Sequence, residues 1–436
     1  MEEYIRVAVV PEIFTYYEKT DYKLVNFELL PLESDVHGFS ANLLDLNLSI
    51  LVEKDGILTE EIYSLIVKCM KDDPIRQKYM ESWIQFSNET HLYRTICPIF
   101  KKLIDHGNFK LFPDCPYAVL KNVKSKESMD PADGIVILEN LTKEGYKLTQ
   151  QKFLDLEHCV SAIEHLGRWH ALSLISKELN PEEFNNQILP GLKECTWTEK
   201  SGSIVRKLIA ECIKERLFNN AKYEENSQTY KAMKILERNI ENIAEDIESL
   251  IAKSRTSKLS VVCHGDYFRN NILFKYDENE RPVSAIAIDY QYLRFGSLAL
   301  DLSHFIYMNA DREIREHSFT ELIKKYHASL VSTMKEVLIS ETKRNNSNPK
   351  SLVLPSLDSI LEEFHQFGVF GLIHGLFFLP YAMVTEKEIQ QLLKISQNME
   401  SSEFRNAMYS IGGDASTNAI IQMFDTAVKL DQVIIE

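Results

Sequence analysis

Residues 261–274, VVCHGDYFRNNILF, set two apolar runs around a polar loop that holds His264, Asp266, Asn270 and Asn271. Phosphoryl transfer asks for such a set: a carboxylate to orient and accept the proton of an attacking hydroxyl, hard oxygen ligands for Mg²⁺, and a cation on the phosphates. Asp266, followed five positions later by Asn271, reproduces the spacing H-x-D-x-x-x-x-N. In that spacing the aspartate is the base and the amide oxygen of the asparagine binds metal. Asp, Asn and Gly also populate plain turns, so the loop alone does not exceed a turn between strands. What lifts it above one is Asp289, at the end of the next apolar run Val283–Ile288, where a second metal-binding carboxylate belongs, together with a strand and helix region upstream.

The elements needed to hold these groups are readable around them. Lys275 to Pro282 form a hairpin turn between two strands, which brings the loop and Asp289 to the same end of the hairpin. The first third of the chain is strand-rich, with Leu24–Leu30, Asn42–Val52 and Tyr63–Met70, and the last two pair as a hairpin about Glu53-Lys54-Asp55-Gly56. Asp72-Asp73-Pro74 starts a long helix whose apolar positions include Phe86, Tyr93 and Ile96. Gly134–Leu141 is a short buried strand leaving into a polar connection, which places a lobe boundary at residues 141/142. Beyond it helices dominate: Leu156–Ser176, Ser203–Phe218, the charged Tyr230–Ala252, Phe319–Val337, Ile360–Val384 and Asn418–Val433.

Bulk properties narrow the function classes. A chain of 436 residues with 44% hydrophobic content buries a large core in two lobes. A net charge of −15 with scattered basic residues repels a phosphate backbone over most of the surface, which argues against nucleic acid as a partner. Seven cysteines, an odd number with no C-x-x-C pair, read as free thiols in a reducing compartment, and the acidic start MEEYIRVAVVPEIF does not read as a signal peptide, so a cytoplasmic location is expected. The apolar stretch Phe367–Met383 contains His374 and Pro380 and is short for a bilayer, so it reads as a buried helix and no membrane insertion is expected. His170 falls on the apolar face of its helix and reads as a satisfied core histidine. The motifs G-x-S-x-G and H-E-x-x-H do not occur.

The sequence resembles the ecdysteroid kinase-like proteins, within the choline kinase and aminoglycoside phosphotransferase group. The resemblance rests on His264-Gly265-Asp266 with Asn270-Asn271-Ile272-Leu273-Phe274, on Ile288-Asp289-Tyr290-Gln291, and on Arg294-Phe295-Gly296-Ser297 through Ala299-Leu300-Asp301-Leu302. It implies an α+β, bilobal protein-kinase-like fold, with a strand-rich nucleotide-binding lobe over residues 1–141 and a mostly helical catalytic and acceptor-binding lobe over 142–436. It also implies an ATP- and Mg²⁺-dependent kinase that phosphorylates a hydroxyl of a small acceptor, an ecdysteroid-type steroid first among them. By the same resemblance Asp266 is the base, Asn271 and Asp289 are metal ligands, Asp301 braces the catalytic loop and His264 is structural. Lys68 would contact the nucleotide phosphates, Glu89 would pair with Lys68, and the backbone from Glu139 to Leu141 would hydrogen-bond adenine.

The phosphate-covering turn is expected at Ser34–Ala41, around Gly38 and Ser40, and it has one glycine where G-x-G-x-x-G has three. That departure motivates an alternative, a catalytically weak protein of the same fold that binds a steroid or nucleotide. A third reading, a metal-dependent hydrolase, would make both His264 and Asp266 metal ligands. Phe268 stands where protein kinases carry a lysine, and no A-P-E segment follows Asp289, so a small hydroxylated acceptor is expected rather than a protein.

Overall fold

Three long strands, β1 (Tyr22–Pro31), β2 (Ala41–Lys54) and β3 (Ile57–Met70), run antiparallel, with the β2–β3 hairpin turning between Lys54 and Ile57. With β4 (Tyr117–Leu120) and β5 (Gly134–Glu139) they make a five-stranded sheet in the order β1-β2-β3-β5-β4. The computed structural model describes residues 1–32, 41–71, 81–104, 110–121, 133–198, 203–219, 224–225, 227–345, 352–395 and 401–430.

Side chains alternate across a strand. In β3 that alternation turns Leu65, Val67 and Cys69 onto a buried face with Ile135 and Ile137 of β5 and with Ile5, Val9, Ile13 and Phe14. Ile66 and Lys68 therefore occupy the opposite face, which lines the cleft below the sheet. The last four core residues belong to an N-terminal helical run over residues 2–16 that the strand-rich reading of the first third does not contain. The helix α1 (Ser82–His91) continues through a wide turn into Cys97–Leu103. The start expected at Asp72-Asp73-Pro74 lies outside the described residues.

The remainder is mostly helical around two small sheets. One pairs β7 (Ser260–Cys263) with β10 (Arg294–Ser297), and the other has the order β6 (Tyr146–Leu148), β8 (Ile272–Tyr276), β9 (Pro282–Ala287). The hairpin β8–β9 is the expected one, and the pairing of β10 with β7 is an addition to it. Helix α2 (Leu156–Leu179) is buried over most of its length and packs on α4 (Phe319–Asn345), while α3 (Leu298–Asn309) packs on α5 (Val369–Ala382). Two expected helices are each broken. Tyr230–Ala252 divides into Gln228–Asn239 and Ile243–Ser254 at a turn in which Asn242 N–H donates to Asn239 C=O, and Ile360–Val384 divides at Gly368 into Leu357–Phe367 and α5. The apolar α5 is buried, and among the described residues no helix is long and apolar enough to cross a membrane.

Candidate active site

The loop between β7 and β8 is held from behind by a single carboxylate. Asp301, in the first turn of α3, accepts the backbone N–H of His264 at 2.6 Å and of Gly265 at 2.9 Å, and the Nε2–H of His170 at 3.1 Å. Burial pushes this carboxyl up, but the three donors outweigh it and hold it down at about 2. Gly265 has φ +84°, and a Cβ there would drive into the carbonyl oxygen of Tyr292, so the position requires glycine twice over. His264 is bonded on both ring nitrogens: Nε2 to the carbonyl of Ile288 at 3.1 Å, and Nδ1 to the backbone N–H of Asp266 at 3.3 Å. No nitrogen remains for a metal, which removes the geometric basis of the hydrolase reading.

Helix α2 supplies further anchors at helical spacing. His165 joins the hydroxyl of Tyr267 to the carbonyl of Leu111, Trp169 donates to the carbonyl of Val262, and Ser173 accepts the N–H of Val262. His170 is satisfied by Tyr326 at 2.7 Å as well as by Asp301, so it is the core histidine its helix face suggests and also a partner of the brace.

Asp266 and Asn271 face each other across the loop. The Asn271 amide nitrogen donates to the Asp266 backbone oxygen at 3.0 Å and to Oδ2 at 2.9 Å. Both partners are acceptors, so the amide is oriented with its carbonyl oxygen turned away from them. Burial first, and the Asp289 charge second, push the Asp266 carboxyl up to about 7. Asp289 holds φ +63°, a left-handed conformation that is costly for a residue with a Cβ and is sustained here by its surroundings.

Lys68 connects the sheet to this loop. Its Nζ lies 2.6 Å from Glu89 Oε2 and 2.5 Å from Asp289 Oδ1. Burial pulls the ammonium down, and the two carboxylates more than reverse that. One cation serves two carboxylates, and burial with the neighbouring Asp289 pushes Glu89 up to about 7 against the pull of Lys68. Glu89 reaches Lys68 because Asn88 pins its helix: Asn88 Nδ2 donates to the carbonyls of Lys193 at 2.8 Å and Gln291 at 3.1 Å, and Oδ1 accepts the Lys193 N–H at 3.0 Å. Arg294, fully buried, is paired with Glu194 at 2.7 Å beside the same segment.

A cavity of about 950 Å³ opens between the sheet and the loop, lined by Lys68, Glu89, Asn271 and Asp289 and by Glu139 to Lys143. The Glu139 side chain turns to Lys110 at 2.6 Å and to the N–H of Asp114 at 3.1 Å. Leu141 is buried at the start of a single 3-10 turn capped by Asn140. Gly38 and Ser40 lie outside the described residues. The partners of Asn88, Arg294 and His165 could not be read from the sequence, since each bonds to groups far along the chain.

A model of the ecdysteroid kinase-like family matches residues 37–339, well over half of the sequence. The chain belongs to the ecdysteroid kinase-like family. No curated protein matches the sequence. Among solved structures the chain is similar to the AMP-bound complex of spectinomycin phosphotransferase, APH(9)-Ia, at 10% identity and a TM-score of 0.30, over 83% of this chain and 90% of that chain. The matched region spans the architecture described above, from an antiparallel sheet in the N-terminal part into the mostly helical remainder. At this level the protein is a kinase-like phosphotransferase of small molecules.

Proposed function

We propose that this family member is an ATP-dependent kinase that transfers the γ-phosphoryl group to a hydroxyl of a small acceptor, with an ecdysteroid-type polyhydroxylated steroid the first to test. The observation that carries the proposal is the convergence of Lys68, Glu89, Asp266, Asn271 and Asp289, from a strand, a helix, the β7–β8 loop and the segment after β9, within or beside one cavity. In this reading the nucleotide occupies that cavity, the backbone of Glu139 to Leu141 faces adenine, and Gly38 and Ser40 belong to the turn over the phosphates.

The donor set fits Mg²⁺. Asp289 is a hard carboxylate, and the amide nitrogen of Asn271 is committed to Asp266, so its carbonyl oxygen accepts no hydrogen bond among the described residues. When bound, Mg²⁺ supplies charge neutralisation on the phosphates and an alignment of the transferred group. The protein supplies the rest. Asp266, restrained by Asn271, orients the acceptor hydroxyl and takes its proton, Lys68 turns from Asp289 to the phosphates, and Glu89 keeps that ammonium in place.

The test is ATP consumption with Mg²⁺ against a panel of hydroxylated acceptors that includes ecdysteroids and choline. Acceptor-dependent, Mg²⁺-dependent release of ADP together with a phosphorylated acceptor is expected. Nucleotide binding without turnover on any acceptor would instead identify a binding protein that keeps the fold.

A further inference from the structure

Strand β3 outruns β5. Its other neighbour, β2, accompanies it from Ile57 to Met70, but β5 pairs with it only from Leu65 to Cys69. Asn140 N–H then donates to the Ser64 carbonyl at 3.1 Å, and from Ile57 to Tyr63 no described strand lies on that edge. The N–H and C=O of one strand residue point to the same side, and alternate residues share that side. Ser64 therefore sets the direction, and Ile62, Glu60 and Leu58 turn their backbone donors and acceptors to the open edge.

The side chains here are as open as the backbone. Ile57, Leu58 and Ile62 are 68%, 67% and 76% exposed. Leu58, Glu60 and Ile62 alternate onto one face of the sheet, where Glu53 and Leu51 of β2 stand opposite Leu58 and Glu60. Glu61, on the other face, is neutralised by Lys19 at 3.0 Å and Lys54 at 2.8 Å. Glu53, Asp55 and Glu60 form no ion pair among the described residues. Exposed edges usually carry a lysine, a proline or a bulge that blocks pairing, and Ile57–Tyr63 has none of these. A second copy suits this edge poorly. Antiparallel self-pairing that sets Leu58 on Ile62 of the copy also sets Glu60 against Glu60, and each chain carries a net charge of −15.

We propose that the open edge of β3 is a docking site for an extended segment of another protein, which adds a strand beside β3. The segment places a lysine or arginine opposite Glu60 and an apolar residue two positions to either side, opposite Leu58 and Ile62. Main-chain hydrogen bonds to the edge supply affinity, and the apolar, basic, apolar spacing supplies selectivity. This surface is separate from the chemistry of the cleft and does not depend on the kinase reading.

The test is fluorescence anisotropy of a labelled peptide of about nine residues, blocked at both ends, titrated with the full chain. The peptide alternates valine and threonine and carries lysine in place of its central valine. Saturable binding is expected, weakened about tenfold when glutamate replaces the central lysine. Glu60→Lys should reverse that preference and Ile62→Lys should weaken both peptides, with the melting temperature of each variant unchanged because both side chains are exposed. Should either variant not fold, N-methylation of the peptide carries the comparison: methyl groups on the amides that face β3 should abolish binding, and methyl groups on the alternate amides should not. No binding, a preference for lysine that survives Glu60→Lys, or equal binding of the two methylated peptides would overturn the proposal. A dimer in sedimentation that Ile62→Lys dissociates would assign the edge to a second copy and overturn it as well.

Discussion

Asp266 and Asp301 serve the same loop from opposite sides, and burial pushes the carboxyl of each upward, yet they end at about 7 and about 2. The difference lies in what faces them. Asp301 receives two backbone N–H groups and an imidazole N–H, whereas Asp266 receives one amide and stands near Asp289 with 30% of its side chain exposed at the cleft. One carboxylate is satisfied and holds structure. The other keeps an unmet demand for a proton, which a general base requires.

Breaking the two sides separately should give opposite signatures. Asp266→Asn is expected to lower kcat by about 10²–10⁴ while nucleotide binding holds, as measured by acceptor-dependent ADP release beside nucleotide titration. Asp301→Ala should cost about 3–5 kcal/mol in urea unfolding, because two buried N–H groups and His170 lose their acceptor, and activity should fall with the folded fraction. Gly265→Ala tests the same brace through the backbone, and a loss of about 2 kcal/mol or more is expected in the same assay, since the new Cβ meets both the φ of +84° and the Tyr292 carbonyl.

The smallest expected effect sharpens the contrast through pH, measured without metal or nucleotide. Asp266 has a folded value raised from 3.8 to about 7, so the folded state binds more protons between those values and stability falls as pH rises from about 4 to about 7. Asp301 is depressed from 3.8 to about 2, so its contribution is full above about 4 and is lost as pH falls toward 2. Asp266→Asn should flatten the first slope by on the order of 2 kcal/mol, allowing for partial screening of its exposed part, and leave the second intact. A mutant curve that keeps both slopes would place the raised proton affinity elsewhere.

Much of the cleft side was legible because its signals are local. Asp266, Asn271 and Asp289 are spaced by one loop and one hairpin, and the strand pattern of 22–70 follows from alternation and turn residues. The bracing side was legible only in part. The resemblance implied Asp301, but the pairing of His170 with it, the pin at Asn88 and the Arg294–Glu194 pair join residues far apart in the chain, and such pairs leave no periodicity to read. The charged run 230–252 kept its helical period through the break at Asn239–Asn242, so the turn is set by backbone geometry that the period does not encode. The helical run over residues 2–16 was missed because its apolar positions are short in extent and are stabilised by docking on the sheet.

Asn88 has a mechanical consequence. A single amide is bolted to the main chain of Lys193 and of Gln291, one position before Glu89 and two positions after Asp289. A slide of α1 along its axis by one residue, about 1.5 Å, would shear all three hydrogen bonds together. The ammonium of Lys68, the helix that supplies its carboxylate and the strip of chain beyond Asp289 therefore move as one clamped assembly, with its register set by a side chain that takes no part in the chemistry.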